Sequence, residues 1–254
     1  MKMDKEKSET TSCIDEIEAR VFEKLKQRGF KKYGRTLHRF VSGDISQVIN
    51  FQCSLACFAE THRMWVNLGI RVPECFDREF ISSNPIKKYY HEYECSIRSR
   101  LGSIDNEKDN CFNLQGDINE ITAEILGDIE SKVLPVFDIL STREMILAHR
   151  REYPQFDNIQ GHLILLEESM IYGHWGNLDK AEELFEQYYQ TAVDKYHDAM
   201  INGRKVYLKK GERIGYMNQD ITATEDGYVT IYGESHTYID YLDKLAVKLG
   251  FRQN

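Results

Sequence analysis

Proline is scarce in this chain, with four in 254 residues, and tryptophan is scarcer, with two. So few prolines exclude a proline-rich stalk or linker. No run of about 18 apolar residues occurs, which excludes a membrane-spanning helix. The opening stretch, Met1-Lys-Met-Asp-Lys-Glu-Lys-Ser-Glu-Thr10, is charged throughout. It lacks the apolar segment of a secretory signal, so a cytoplasmic location is expected. Cysteine never occurs as CxxC. The six cysteines, at 13, 53, 57, 75, 95 and 111, are expected to stay reduced in that compartment. Cys53 and Cys57 with His62 form an incomplete zinc set, because zinc needs about four ligands of fixed geometry. No metal site is assigned.

Catalytic signatures are missing as well. There is no GxSxG elbow, no phosphate-cradling GxxxxGK[ST], no GxGxxG and no HExxH, and His91-Glu92 has no second histidine to complete a zinc motif. The eight histidines are scattered and read as surface or core residues. No catalytic residue and no cofactor is assigned.

What is present is the material of an ordinary globular protein. Hydrophobic residues make up 41% and charged residues 29%, which is enough apolar surface for a core without disulfides or structural metal. The formal net charge is -8, unevenly spread. Residues 1–115 carry 19 Lys+Arg against 17 Asp+Glu, whereas residues 116–254 carry 14 against 24. An acidic half repels polyanions, so extensive nucleic-acid binding is not expected. From Lys24 to Arg39 the chain instead has seven bases and no acid. Three of them fall at a helix C-terminus, where cations offset the dipole. Lys31, Lys32 and Arg35 could alternatively assemble an anion site.

Hydrophobic period divides the chain. Ser12 and Asp15 form a capping-box pattern, followed by Ile14, Ile17, Val21 and Leu25 on one helical face. Gly29 supplies a left-handed stop, with Phe30 folding back. Strands are expected at Arg35–Val41, Ser46–Ser54, His62–Val72 and Glu94–Leu101, with a turn at Ser42-Gly43-Asp44 favouring antiparallel pairing. Pro73 and Pro85 bracket an irregular segment. From Asp117 the period becomes helical. Asp117 with Glu120 and Ser141 with Glu144 mark N-termini, and Pro135 should kink or end the first of these helices. Ile159, Leu163, Leu166 and Met170 mark another. Gly176, Leu178, Ala181 and Phe185 resemble a single tetratricopeptide-type hairpin, one unit where an array needs about three. Ile221–Tyr232 reads as a β-hairpin around Gly227, and a closing helix carries Ile239, Leu242, Leu245 and Leu249 up to Gly250. The fold class is therefore α+β: an N-terminal helix plus an antiparallel sheet of about four strands, then a helical C-terminal half with a β-hairpin near 221–232. Residues 1–11 are expected to be disordered, 12–115 to hold the helix and sheet, and 116–254 to pack on them, within one continuous domain or as a second region.

Alternation along the strands predicts a polar face. Asn50 and Gln52 share one side of the second strand, Trp65 and Asn67 one side of the third, and Arg98 and Arg100 one side of the fourth. Arg35 could join from the first strand. Amides both donate and accept, guanidiniums offer a planar fork for carboxylate or phosphate, and tryptophan adds a stacking wall. The alternative is that these groups serve local hydrogen bonds.

Four segments carry a resemblance: Gly29-Phe-Lys-Lys-Tyr-Gly-Arg-Thr36, Val48-Ile-Asn-Phe-Gln52, Val66-Asn-Leu-Gly-Ile70 and Cys95-Ser-Ile-Arg-Ser-Arg-Leu-Gly102. Over about residues 14–140 the chain resembles a bacterial family catalogued as domain of unknown function 4304. The family tends to carry His where this chain has Ser96, and Trp near Cys111-Phe112. The resemblance implies a cytoplasmic bacterial protein and supplies no activity. The residues together favour a non-enzymatic binding protein. Its acidic helical half would engage a partner with a basic surface, as toxin-neutralising immunity proteins do, and its sheet face would support structure or bind a small anion. The alternative is an enzyme holding a phosphorylated or carboxylated small molecule on Asn67, Arg98 and Arg100.

Overall fold

The first helix, α1, runs over Glu9–Leu25 and buries Ile14, Ile17, Val21 and Leu25 on one stripe. It starts ahead of the expected Ser12–Asp15 box, so those residues lie inside the helix. A short 3-10 turn, Lys26–Arg28, closes on Gly29 at φ 85°, and the Phe30 N–H returns to the Leu25 carbonyl. This left-handed stop is the one expected from the sequence. A computed structural model describes residues 9–53, 62–76, 88–105, 111–157, 163–216, 219–231 and 237–252. The expected positions 1–8, Ser54, Cys57, Pro85, Ile159 and Tyr232 lie outside the described residues. The chain divides into two units, Met1–Glu167 and Glu168–Asn254.

The first unit is built on an antiparallel sheet ordered β1 (Lys31–Tyr33), β2 (Thr36–Val41), β3 (Ile45–Cys53), β4 (Arg63–Arg71) and β5 (Ile97–Arg100). A short β6 (Phe112–Asn113) also pairs with β4. The sheet thus gains β1 and β6 beyond the four strands expected. At three and two residues, both are too short to carry hydrophobic alternation. Ser42 at φ 45° and Gly43 at φ 82° make the three-residue connection from β2 to β3.

One face of the sheet is the core. Leu37, Ile49, Phe51, Met64, Val66, Leu68, Ile70 and Ile97 are all buried there, at about 1.5–3 kcal/mol for each large apolar side chain. Helix α1 contacts β3 on this side, and Lys32 forms an ion pair with the buried Glu18. Desolvation raises the Glu18 pKa, partly offset by Lys32. Helix α3 (Ile118–Asp128) is capped by Asp117, whose side chain accepts from the Asn119 N–H at 2.7 Å. It runs into a π turn, Ile129–Val133, and then α4 (Leu134–Ile139). Pro135 therefore does not end the helix: the wide turn just before it accommodates the missing donor and the ring. The side-chain amide of the buried Gln47 donates to the Phe137 carbonyl, tying α4 to β3.

Ionic links fix the remaining pieces. Helix α5 (Arg143–His149) is capped by Thr142, one residue after the expected Ser141. Arg143 forks onto Glu74 at 2.7 and 2.8 Å and onto Asp44 at 2.9 and 2.9 Å. One guanidinium thereby joins α5, α2 (Pro73–Phe76) and the β2–β3 connection, and these carboxylates raise the Arg143 pKa further. Deeper, the buried Arg150 lies 2.7 Å from both Asp157 and Glu167. Desolvation raises the Asp157 pKa against the pull of Arg150.

On the opposite face the chain crosses the sheet again between β4 and β5. Cys95 packs on Gly69 so closely that a Cβ at Gly69 would stand 2.6 Å from the cysteine sulfur and 2.8 Å from its Cβ. The Ser96 N–H then pairs with the Ile70 carbonyl at 3.1 Å, leading into β5.

Helix α6 (Ile164–His174) crosses the division between the units. In the second unit, Gly176 at φ 76° and the Asn177 cap start α7 (Leu178–Ile201). The Ser169 hydroxyl donates to the Ala181 carbonyl at 2.7 Å. Both strands of the expected hairpin near 221–232 form, but they pair elsewhere. Strand β9 (Gln219–Thr222) pairs with β8 (Arg213–Tyr216), and β10 (Gly227–Ile231) pairs with β7 (Arg204–Leu208). The result is one interrupted two-armed ribbon, with β7 and β8 supplying the partners. Helix α8 (Thr237–Lys248) buries Ile239, Leu242 and Leu245, and Gly250 stops it at φ 81° with the Phe251 N–H on the Ala246 carbonyl. No helix among the described residues is long and apolar enough to cross a membrane.

The Gly69–Cys95 contact predicts that Gly69→Ala lowers stability by about 1–3 kcal/mol through overpacking. Gly116→Ala, where the nearest atom is the end of the Ile121 side chain at 3.6 Å, should stay within about 0.5 kcal/mol. Denaturant midpoints at unchanged slope measure both, and equal midpoints would contradict the constraint.

Candidate functional site

The register aligns the polar residues across strands. Thr36 lies opposite Asn50, Asn50 opposite Asn67, and Asn67 opposite Arg100, while Gln52 lies opposite Trp65. Tyr33 extends this row onto β1, opposite Thr36. Asn50, Gln52, Trp65, Asn67, Arg98 and Arg100 therefore share one sheet face, opposite the core.

Hydrogen bonds order this row in one direction. Arg100 Nε donates to Asn67 Oδ1 at 3.3 Å. Asn67 Nδ2 donates to Gln52 Oε1 at 2.8 Å and to Asn50 Oδ1 at 3.4 Å. Asn50 Nδ2 donates to Thr36 Oγ1 at 2.9 Å and to the Arg35 carbonyl at 3.4 Å. Every donor points from β5 toward β2, so the Arg100 charge stands at the head of a polarised amide chain. Both hydrogens of the Asn67 amide are used, and its carbonyl accepts from arginine, so this buried side chain positions its neighbours. Asn50 is similarly committed. Gln52 is exposed, and its amide nitrogen makes no hydrogen bond among the described residues. The Arg100 guanidinium lies 4.4 Å from the centroid of the Trp65 ring, which holds it flat.

Two of the expected residues are placed differently. Arg98 lies opposite Gly69 and approaches Glu92 at 3.7 Å, beneath the crossing segment. Arg35 sits in the β1–β2 turn and aims its guanidinium at α1, donating to Asp15 at 2.7 Å and to the Thr11 carbonyl at 3.1 Å. Its side chain is not on the row; only its backbone carbonyl meets Asn50. Two more members of the basic run are likewise drawn into internal contacts. Lys32 pairs with Glu18, and Arg39 with Asp138 at 2.5 Å and Gln47 at 2.6 Å.

The other end of this face is aromatic, which the sequence reading missed. Tyr33 stacks on Tyr89 and His91 stacks on Tyr93. Beneath Tyr89 lies the buried His38. Burial, then Lys31, lowers the His38 pKa, and a hydrogen bond with the Lys88 backbone offsets this in part. A side-chain hydrogen bond with Tyr33, then desolvation, pushes the Tyr89 phenol up to about 12. The signal for this cluster was Tyr89-Tyr90-His91-Glu92-Tyr93, four rings in five residues.

His62 Nδ1 hydrogen-bonds the Thr10 hydroxyl at 2.7 Å. No group of three or more His, Cys, Asp or Glu among the described residues is arranged to hold a metal ion.

Residues 21–139 match the family model described as Domain of unknown function (DUF4304). That stretch covers the four segments of the resemblance and ends one residue short of the expected limit. Comparisons with curated proteins and with solved structures gave no match.

The buried thiols give a prediction. Cys75 and Cys95 are fully enclosed, and desolvation, followed by nearby carboxylates, raises both pKa values well above the ordinary 9.0. At neutral pH, alkylation mapped by mass spectrometry should label Cys13 and Cys111 in the native protein, and Cys75 and Cys95 only after unfolding. Above about pH 9 the unfolded chain loses these protons while the native state keeps them, so stability should fall as pH rises further. The combined Cys75→Ala and Cys95→Ala variant should flatten that fall.

Proposed function

We propose that this is a non-enzymatic binding protein that takes a small phosphorylated or carboxylated molecule at the Gln52–Trp65–Arg100 end of its sheet face. The observation that carries this reading is the posture of Arg100. Trp65 lies against its plane and Asn67 engages its Nε, and a guanidinium is a planar fork of the kind that recognises carboxylate or phosphate. Gln52 adds an exposed amide donor two strands away. Asn50 and Asn67 hold these groups in place.

The acidic helical half supports a second reading, a protein partner with a basic surface. On α7, however, Glu183 contacts Lys180 at 2.8 Å and Glu186 contacts Arg252 at 3.0 Å. Part of that charge is answered within the chain, which favours the sheet face. A catalytic version of the anion reading would show as turnover of a panel compound.

Thermal shift and calorimetry with inorganic phosphate, pyrophosphate, citrate and a panel of phosphorylated metabolites test the proposal. At least one should bind. Arg100→Ala should weaken it roughly tenfold to a hundredfold, the worth of one or two charge-assisted hydrogen bonds. Arg100→Lys should restore only part, because lysine keeps the charge and loses the fork. Undiminished binding in Arg100→Ala, or no binder in the panel, would refute the assignment.

A further inference from the structure

The aromatic end of the sheet face borders a concavity apart from the anion site. It measures about 550 Å³ and is lined by Tyr33, Lys88, Tyr89, His91, Tyr93 and Glu94, within the range of about 300–1,000 Å³ usual for small-molecule sites. Its walls are two stacked ring pairs, Tyr33 on Tyr89 with planes 21° apart and His91 on Tyr93 with planes 12° apart. The pairs meet in a corner, with Tyr89 and His91 at 86°. The outer rings are wet: Tyr33 is 52% and Tyr93 57% exposed. They add little to the core and leave two aromatic surfaces open to a flat guest.

Charge narrows the class of guest. Lys88 is exposed and makes no ion pair among the described residues. Glu94 is turned inward: it is 6% exposed and accepts the His91 N–H at 2.9 Å. Rings of this kind can cage a quaternary ammonium, but the Lys88 ammonium at the rim repels a cation. A planar group carrying a negative charge satisfies both features. Stacking on tyrosine suits any base, since every base has a π-face, and a lysine ammonium is a point-charge partner for phosphate.

We propose that this corner is a nucleotide site, with the base stacked on Tyr93 and edge-on to Tyr33, and the phosphate paired with Lys88. The full chain is titrated by calorimetry with each of the four ribonucleoside 5′-monophosphates, the corresponding nucleosides, inorganic phosphate and choline. At least one monophosphate should bind roughly tenfold or more tightly than its nucleoside and than phosphate alone. Tyr93→Ala should cost roughly tenfold in that affinity, and Lys88→Ala should reduce it to that of the nucleoside. Both side chains are exposed, so both variants should keep the wild-type circular dichroism and melting temperature. The proposal is overturned if no monophosphate exceeds phosphate, if choline is the ligand that binds, or if both variants bind as tightly as wild type.

Discussion

Everything on the sheet surface depends on the register of β3 against β4. Ile49 opposite Leu68 and Phe51 opposite Val66 fill the core face, and the same pairing puts Asn50 opposite Asn67 and Gln52 opposite Trp65 on the other. A slip of one residue would turn Met64, Val66, Leu68 and Ile70 out of the core. At about 1.5–3 kcal/mol each, that loss rivals the whole net stability of an ordinary domain, about 5–15 kcal/mol. Apolar burial thus dictates which polar groups meet.

The polar groups then divide labour along the face. The central amides are consumed in holding one another, and Asn67 in particular has no donor left. What they hold is peripheral: Arg100 and Gln52 at one end, while the crossing segment from Lys88 to Cys95 covers the other. The two ends differ in chemistry because different strands border them. Arg100 comes from β5 and Trp65 from β4, whereas Tyr33 comes from the polar edge strand β1. A face that looks uniform in the alternation pattern is two surfaces joined by a spacer of amides.

Much of this was legible in the residues. Alternation in β3 and β4 gave their faces, and Gly29 and Gly250 marked the ends of their helices. The convergence of Asn50, Asn67 and Arg100 followed from parity alone. Other features were not visible, for identifiable reasons. Arg35 is out of phase with the row, because Thr36 is the residue opposite Asn50, and it occupies a turn whose side chain is captured by Asp15 on α1, a partner set by tertiary packing. The true partners of the strands near 221–232 were hidden because β7 opens on Arg204 and Lys205 and is mostly exposed, and β8 is four residues long with a glycine within it. The Arg150–Asp157–Glu167 cluster reads in sequence as three unrelated surface charges. The aromatic corner needs β1 and the crossing segment together, and neither has a strong local period.

The seat of Cys95 on Gly69 has a consequence for how the aromatic corner meets a guest. Cys95, one residue before the Ser96 link to β4, fixes the end of the segment that carries Tyr89, His91 and Tyr93. Tyr33 belongs to the sheet itself. One end of the segment that carries the rings is therefore anchored before any molecule arrives. Part of the entropy of ordering that weakens many surface sites is then spent during folding, which would favour the proposed guest.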